Sequence, residues 1–355
     1  MTMVLNDEQT MLVDAVRHFL EGELADGAVL VPLDAERARQ LWRQCAEMGW
    51  LQTCAPEASG GLGLSLVDAA LMVEEMGRRL LPLPIADAMA MLGYLITAEG
   101  PDTPLKQLAR WLDGEAYMAL ASDADGDDGS GTAQDDGIDR RSPNLGLVTH
   151  AISDATALRL SWQETHLTLS AHAVDHLGYG IDPLIATGRL VTHSPPQWQV
   201  TRTCPEPTWT RFCMARRCLR LAELLGVGAQ ALDLASVYAC EREQFGKPIG
   251  ANQAIKHRLA DNWMALDNAR LLLHEACELT DQHGEAAQAS VLMAELLITE
   301  AALATAGQAI QTFGAMGITW ECPAHLYLKR ARHLCAILRR DGDATFILDR
   351  LWALI

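Results

Sequence analysis

Tyr238-Ala-Cys-Glu-Arg242-Glu-Gln-Phe245-Gly246-Lys-Pro-Ile249-Gly250-Ala-Asn-Gln253-Ala-Ile-Lys256-His257-Arg-Leu259-Ala-Asp261 reads as helix, tight turn, helix. Gly246 ends the first helix and Pro248 follows it. Arg242 and Phe245 stand three apart, so on a helix they share a face. The guanidinium is a planar fork suited to a pyrophosphate. The ring is flat and suited to stacking on an aromatic heterocycle. Alone, Arg-x-x-Phe describes an ordinary helical hairpin with a charged end; the full string is more specific.

Around this stretch, from about residue 206, the apolar spacing predicts four long helices at 208–244, 251–281, 285–314 and 322–353. Short links rich in Gly and Pro join them, which implies a bundle. Gly226-Val-Gly228-Ala-Gln-Ala231 imitates a dinucleotide fingerprint, but it lies within a helical pattern. Close helix packing explains its small residues better. A second block, Gln311-Thr-Phe313-Gly314-Ala-Met-Gly317-Ile318-Thr-Trp320-Glu321-Cys-Pro323, puts a glutamine and glycines at a helix end. There a ligand can approach the backbone closely.

Residues 1–112 also read as helices. Asn6 with Gln9 makes a capping-box start, a second helix covers about 34–48, and the glycine-rich loop 56–65 precedes a helix with Glu74, Glu75, Gly77 and Arg78. Residues 113–203 carry short alternating patterns at 115–122, 147–162, 166–174 and 186–192, the mark of a small β domain. Asp123 to Gly131 imitates a calcium loop, yet Asp128 stands at the glycine position and Gln134 at that of the bidentate glutamate. It reads as a flexible acidic loop. The expected organisation is therefore helical at 1–112, β at 113–203 and a four-helix bundle at 204–355.

A net charge of −18 gives no dominant basic face, which excludes a duplex-binding surface. Lys329, Arg330, Arg332, Arg339 and Arg340 cluster, and read as a solvated helix face. The nine dispersed cysteines form no CxxC, so reduced thiols in a cytoplasmic protein are expected. No apolar run is long and uncharged enough to predict a membrane span. Metal and nucleophile-elbow motifs are absent, and the isolated His257, His274, His325 and His333 read as structural or surface groups.

The string around Arg242, the block from Gln311 to Arg330 and the order Pro56-Glu57…Gly60-Gly61-Leu62-Gly63…Glu74-Glu75-Met-Gly77-Arg78 together resemble the acyl-CoA dehydrogenases. The resemblance covers most of residues 1–80 and 205–335 and is weak between. It implies an N-terminal helical domain, a middle β-barrel domain and a C-terminal four-helix bundle. It implies FAD as cofactor and α,β-dehydrogenation of an acyl-CoA thioester, with electron-transfer flavoprotein as electron acceptor. It further implies that Arg242 and Phe245 reach a neighbouring subunit's FAD, at the pyrophosphate and adenine. Gln253, Gln311 and Gly314 match further positions near that FAD.

The resemblance also shows what is missing. The family's base is a glutamate at one of two places. One falls here on Leu338; the other, 26 positions before Arg242, falls on Arg216. Neither accepts a proton. The family's flavin-ring loop corresponds to the Asp/Gly-rich stretch, which keeps Ser130 at most, and Val148-Thr149-His150 is a poor match to its flavin strand. The chain thus keeps the half-site offered to a neighbour and lacks its own. This resembles the short subunits of heteromeric α2β2 acyl-CoA dehydrogenases of steroid degradation, with a paralogous subunit as partner. Two alternatives stay open: a homomeric enzyme with Glu223 or Glu241 as relocated base, and a non-enzymatic scaffold.

Overall fold

The computed structural model describes residues 5–24, 31–96, 114–121, 147–153, 156–191, 194–283, 287–338 and 351–352. The acidic loop with Ser130, and Arg339 and Arg340, lie outside them. Helix α1 (Asp7–Glu23) starts on the expected capping box, Asn6 and Gln9 each accepting the other's backbone N–H. α2 (Ala35–Glu47) is capped by Asp34, and α3 (Leu66–Arg78) by Ser65 with Asp68. α4 (Ile85–Ala90) follows the Leu80–Pro84 loop. These helices bury their apolar stripes together with Trp42 and Leu51.

Among the described residues six strands follow: β1 (Met118–Leu120), β2 (Leu147–Thr149), β3 (Thr156–Gln163), β4 (His166–Tyr179), β5 (Ala186–Leu190) and β6 (Trp198–Thr203). They form one sheet in the order β1-β3-β4-β5-β2, with β6 also on β4. β1 runs parallel to β3; the other pairings are antiparallel. Residues 150–153, expected within a strand, lie between β2 and β3, with His150 at φ +59°. β6 was not expected, since its burial alternates with no fully buried position.

Four long helices follow among the described residues: α5 (Glu206–Glu241), α6 (Gln253–His283), α7 (Ala287–Phe313) and α8 (Ala324–Leu338). α5 is central, packed against α3, α4, α6, α7 and α8. Stacked Trp162 and Trp209, 5.9 Å apart, tie β3 to it. Gly226 lies inside α5, and a Cβ there would sit 1.9 Å from the Glu74 carbonyl oxygen. One on Gly77 would sit 2.1 Å from that of Glu223. The two glycines let α3 and α5 cross nearly backbone to backbone, as the packing reading expected for Gly226. α7 departs from the sequence reading on membranes. The segment Ala287–Ile318 is long and apolar enough to cross a bilayer, and its apolar window is 61% buried inside the protein. Packing beside α5, α6 and α8 explains its composition.

Candidate functional site

α5 stops at Glu241. Arg242 turns extended at ψ 117°, and its N–H donates to the Tyr238 carbonyl at 2.8 Å. The chain then folds into a small hairpin. β7 (Glu243–Gln244) pairs with β8 (Lys247–Pro248), and the Ile249 N–H donates to the Arg242 carbonyl at 2.8 Å. The turn residues Phe245 and Gly246 have φ +54° and +77°. Two consecutive positive φ values make a type I′ turn, whose twist suits a two-residue hairpin. This corrects the sequence reading: Arg242 and Phe245 do not share a helix face. One ends the helix and the other tips the hairpin.

A bulky residue at positive φ is a strained outlier, with a cost of about 1–3 kcal/mol. Phe245 carries that strain while 101% exposed. The tip thus spends both strain and apolar area on the outside of the chain.

The other expected residues gather at the same end of the bundle. Tyr238, one turn before Arg242, stacks on Phe313 with centroids 4.4 Å apart. That contact brings the ends of α5 and α7 together, with Gln311 and Gly314 flanking Phe313. Gly250 closes against α5, where a Cβ would lie 2.8 Å from the Ala239 carbonyl oxygen. Arg258 donates to Gln308 at 3.3 Å, which fixes the first turns of α6, starting at Gln253, along the last turns of α7. Arg242, Phe245, Gln253, Gln311 and Gly314 are all exposed. Gly314 has φ +64° and open space where a side chain would be. A forked cation, a bare ring, two primary amides and an unobstructed backbone fit one half of a dinucleotide arriving from outside the chain.

Both positions at which the resemblance places the family's base are closed. Leu338 is 2% exposed. Arg216 is 1% exposed, and its Nε donates to Asp87 Oδ1 at 2.8 Å. Arg220 donates to the same carboxylate at 3.1 and 3.4 Å. Burial works to raise the pKa of Asp87, but the two guanidiniums outweigh it and hold it well below the usual carboxylate range.

One turn on, Glu223 Oε1 accepts from Arg330 Nη1 at 3.0 Å. Arg330 is fully buried and also donates to Asp182 and to the Leu80 and Leu81 carbonyls. Burial raises the pKa of Glu223 despite Arg330, whereas at Asp182 Arg330 outweighs burial and lowers it. Burial, with Arg330 and His333 nearby, pushes His150 down to about 3. It also brings His333 down to about 4, so both imidazoles are neutral. Of the expected solvated basic face, Arg332 is exposed, but Arg330 is the centre of an interior ion cluster. Asp87, Asp182 and Arg330 build this interior ion cluster, which sequence reading missed. Their partners lie more than 100 positions away, beyond any local pattern.

Family models match both ends of the chain: "Acyl-CoA dehydrogenase, N-terminal domain" at residues 6–115 and "Acyl-CoA dehydrogenase, C-terminal domain" at residues 209–336. The acyl-CoA dehydrogenase IpdE2 of Mycobacterium tuberculosis is 31% identical over 350 residues, covering 97% of this chain and 96% of its own. Two solved structures share the fold along nearly the whole length. The ChsE4–ChsE5 complex from Mycobacterium tuberculosis has a TM-score of 0.78 at 22% identity, covering 99% of this chain and 98% of its own. A steroid ACAD variant, Tcur3481–Tcur3483, has a TM-score of 0.75 at 23% identity, covering 98% and 97%. With the helical ends, the middle sheet and the bundle all in place, the chain belongs to the acyl-CoA dehydrogenase family.

Proposed function

We propose that this chain is the base-less subunit of a heteromeric, FAD-dependent acyl-CoA dehydrogenase acting on a bulky, steroid-derived acyl-CoA thioester. One observation carries the reading. The two places where the family keeps its glutamate hold Leu338 and Arg216, and both are sealed inside the chain. FAD, when bound, would supply the hydride acceptor for the substrate's β-carbon. This chain's part is to hold the dinucleotide half that faces it. Arg242 carries a guanidinium for the pyrophosphate, Phe245 a ring for the adenine, and Gln253, Gln311 and the Gly314 backbone offer polar contacts. The paralogous subunit supplies the flavin-ring pocket and the carboxylate that removes the α-proton. Electron-transfer flavoprotein reoxidises the complex.

The same fold occurs in a two-protein complex and in a steroid acyl-CoA dehydrogenase, which accords with a heteromer and a bulky acyl group. The homomeric alternative needs a base on this chain. Glu223 is tied to Arg330 in the interior, and Glu241 stands outside at the helix end. A scaffold has no use for a strained, fully exposed Phe245. The test is single-turnover reduction of the complex by its acyl-CoA. A positioned base contributes about 10²–10⁴ in rate. Changing one glutamate of the partner to glutamine abolishes reduction, while Glu223→Gln leaves it within about tenfold. The opposite pattern puts the base on this chain.

A further inference from the structure

Beside the flavin half-site lies a cleft of about 300 Å³, which the dinucleotide clamp does not use. Its walls are the last turns of α5, the end of α7 and the turn that leads into α8. They are mostly apolar: Leu234, Val237, Met316 and the stacked rings of Tyr238 and Phe313. Val237 is 57% exposed and Met316 42%, so apolar surface faces water at the mouth.

The polar groups of the cleft are one-sided. Asp233, Glu241 and Glu321 line it beside the neutral Gln230, and no lysine, arginine or histidine among the described residues does. Asp233 is engaged by Arg78 at 2.8 Å. Glu241 and Glu321 are exposed, and neither has an ion pair among the described residues. An apolar, aromatic-walled cleft with two uncompensated carboxylates suits a cation on an aliphatic stem. The stem lies along apolar surface, the charge meets the carboxylates, and the ring faces attract it further.

We infer that the cleft receives an arginine or lysine side chain of the subunit whose FAD this chain clamps. The placement supports that occupant. Glu241 directly precedes Arg242, and Phe313 lies between Gln311 and Gly314. A protein that brings a dinucleotide to the clamp therefore brings its own surface to this cleft. The inference rests on reading the clamp as an intersubunit site.

The experiment titrates this chain with its co-purified paralogous subunit and reads the dissociation constant. The variants are Glu241→Gln with Glu321→Gln, both at exposed positions with no ion pair among the described residues. The double variant is expected to bind about tenfold more weakly at low salt. The loss should shrink at about 1 M salt, where screening acts within about 3 Å. One arginine or lysine of the partner, changed to alanine, should cost the same about tenfold and add nothing in the double-variant background. An unchanged dissociation constant, or losses that add for every basic residue of the partner, overturns the inference. Arg242→Ala, measured alongside for flavin content, separates the two ideas. If it loses FAD while the double variant binds normally, the clamp stands and the cleft fails. If it keeps FAD, the reading of the clamp fails on its own account.

Discussion

Replacing Arg330 with methionine keeps length and apolar bulk while removing one guanidinium from Asp182, Glu223 and the carbonyls of Leu80 and Leu81. Asp182 is 1% exposed, so its charge has no water to turn to. Removing one partner of a buried ion pair costs about 3–5 kcal/mol. Two carboxylates depend on this one cation, which places the change at the upper end, about 5 kcal/mol. That is a large share of a folding free energy of about 5–15 kcal/mol. At roughly 2 °C per kcal/mol for a chain of this size, the melting temperature falls by roughly 10 °C.

The loss also depends on pH. In the native chain Asp182 has a lowered pKa. Its stabilisation is present above the ordinary carboxylate range and fades as pH falls through the lowered value. Glu223 has a raised pKa, so keeping it ionised costs stability as pH rises past its ordinary value. Without Arg330 both carboxyls titrate higher, and protonation relieves the variant. Thermal melts of the assembled protein should show the gap between wild type and Arg330→Met narrowing from about pH 7 to about pH 5. A gap under about 2 °C at neutral pH, or one that ignores pH, refutes the view of Arg330 as the hub of an interior ion cluster.

Arg242→Ala should weaken FAD retention in the complex, by about 1.5–3 kcal/mol for each charge-assisted hydrogen bond lost; equilibrium dialysis of flavin checks it. Phe245→Gly should separate two effects at one position: relief of the positive-φ strain raises the chain's own stability by about 1 kcal/mol, while flavin retention falls by about 0.5–1.5 kcal/mol beyond lost area. Denaturant melts and dialysis read the two. Gly226→Ala drives a methyl group into the Glu74 carbonyl and should cost at least about 1–3 kcal/mol in a thermal melt.

Much of this fold was legible because long amphipathic helices state their period and their ends. Asn6 with Gln9 announced α1, and the small residues at Gly226 and Gly228 announced a close helix crossing. The hairpin at Phe245 was not legible, since phenylalanine is a poor residue for the first position of a type I′ turn. Its cost there is local, and nothing in the neighbouring residues signals it. The interior ion cluster stayed hidden for another reason. Five basic residues near one helix read as surface, and one interior partner of Arg330 is an aspartate 148 positions away. The residues of the proposed flavin half-site were readable as residue types, but their shared exposure is a property of where three helix ends meet.

The central claim is that this chain owns only half of a flavin site. Purified alone, it should hold little FAD. Purified with its paralogous subunit, it should form a tetramer with fewer FAD molecules than subunits, as measured by native mass and flavin absorbance together. A homotetramer of this chain with one FAD on every subunit would contradict the account.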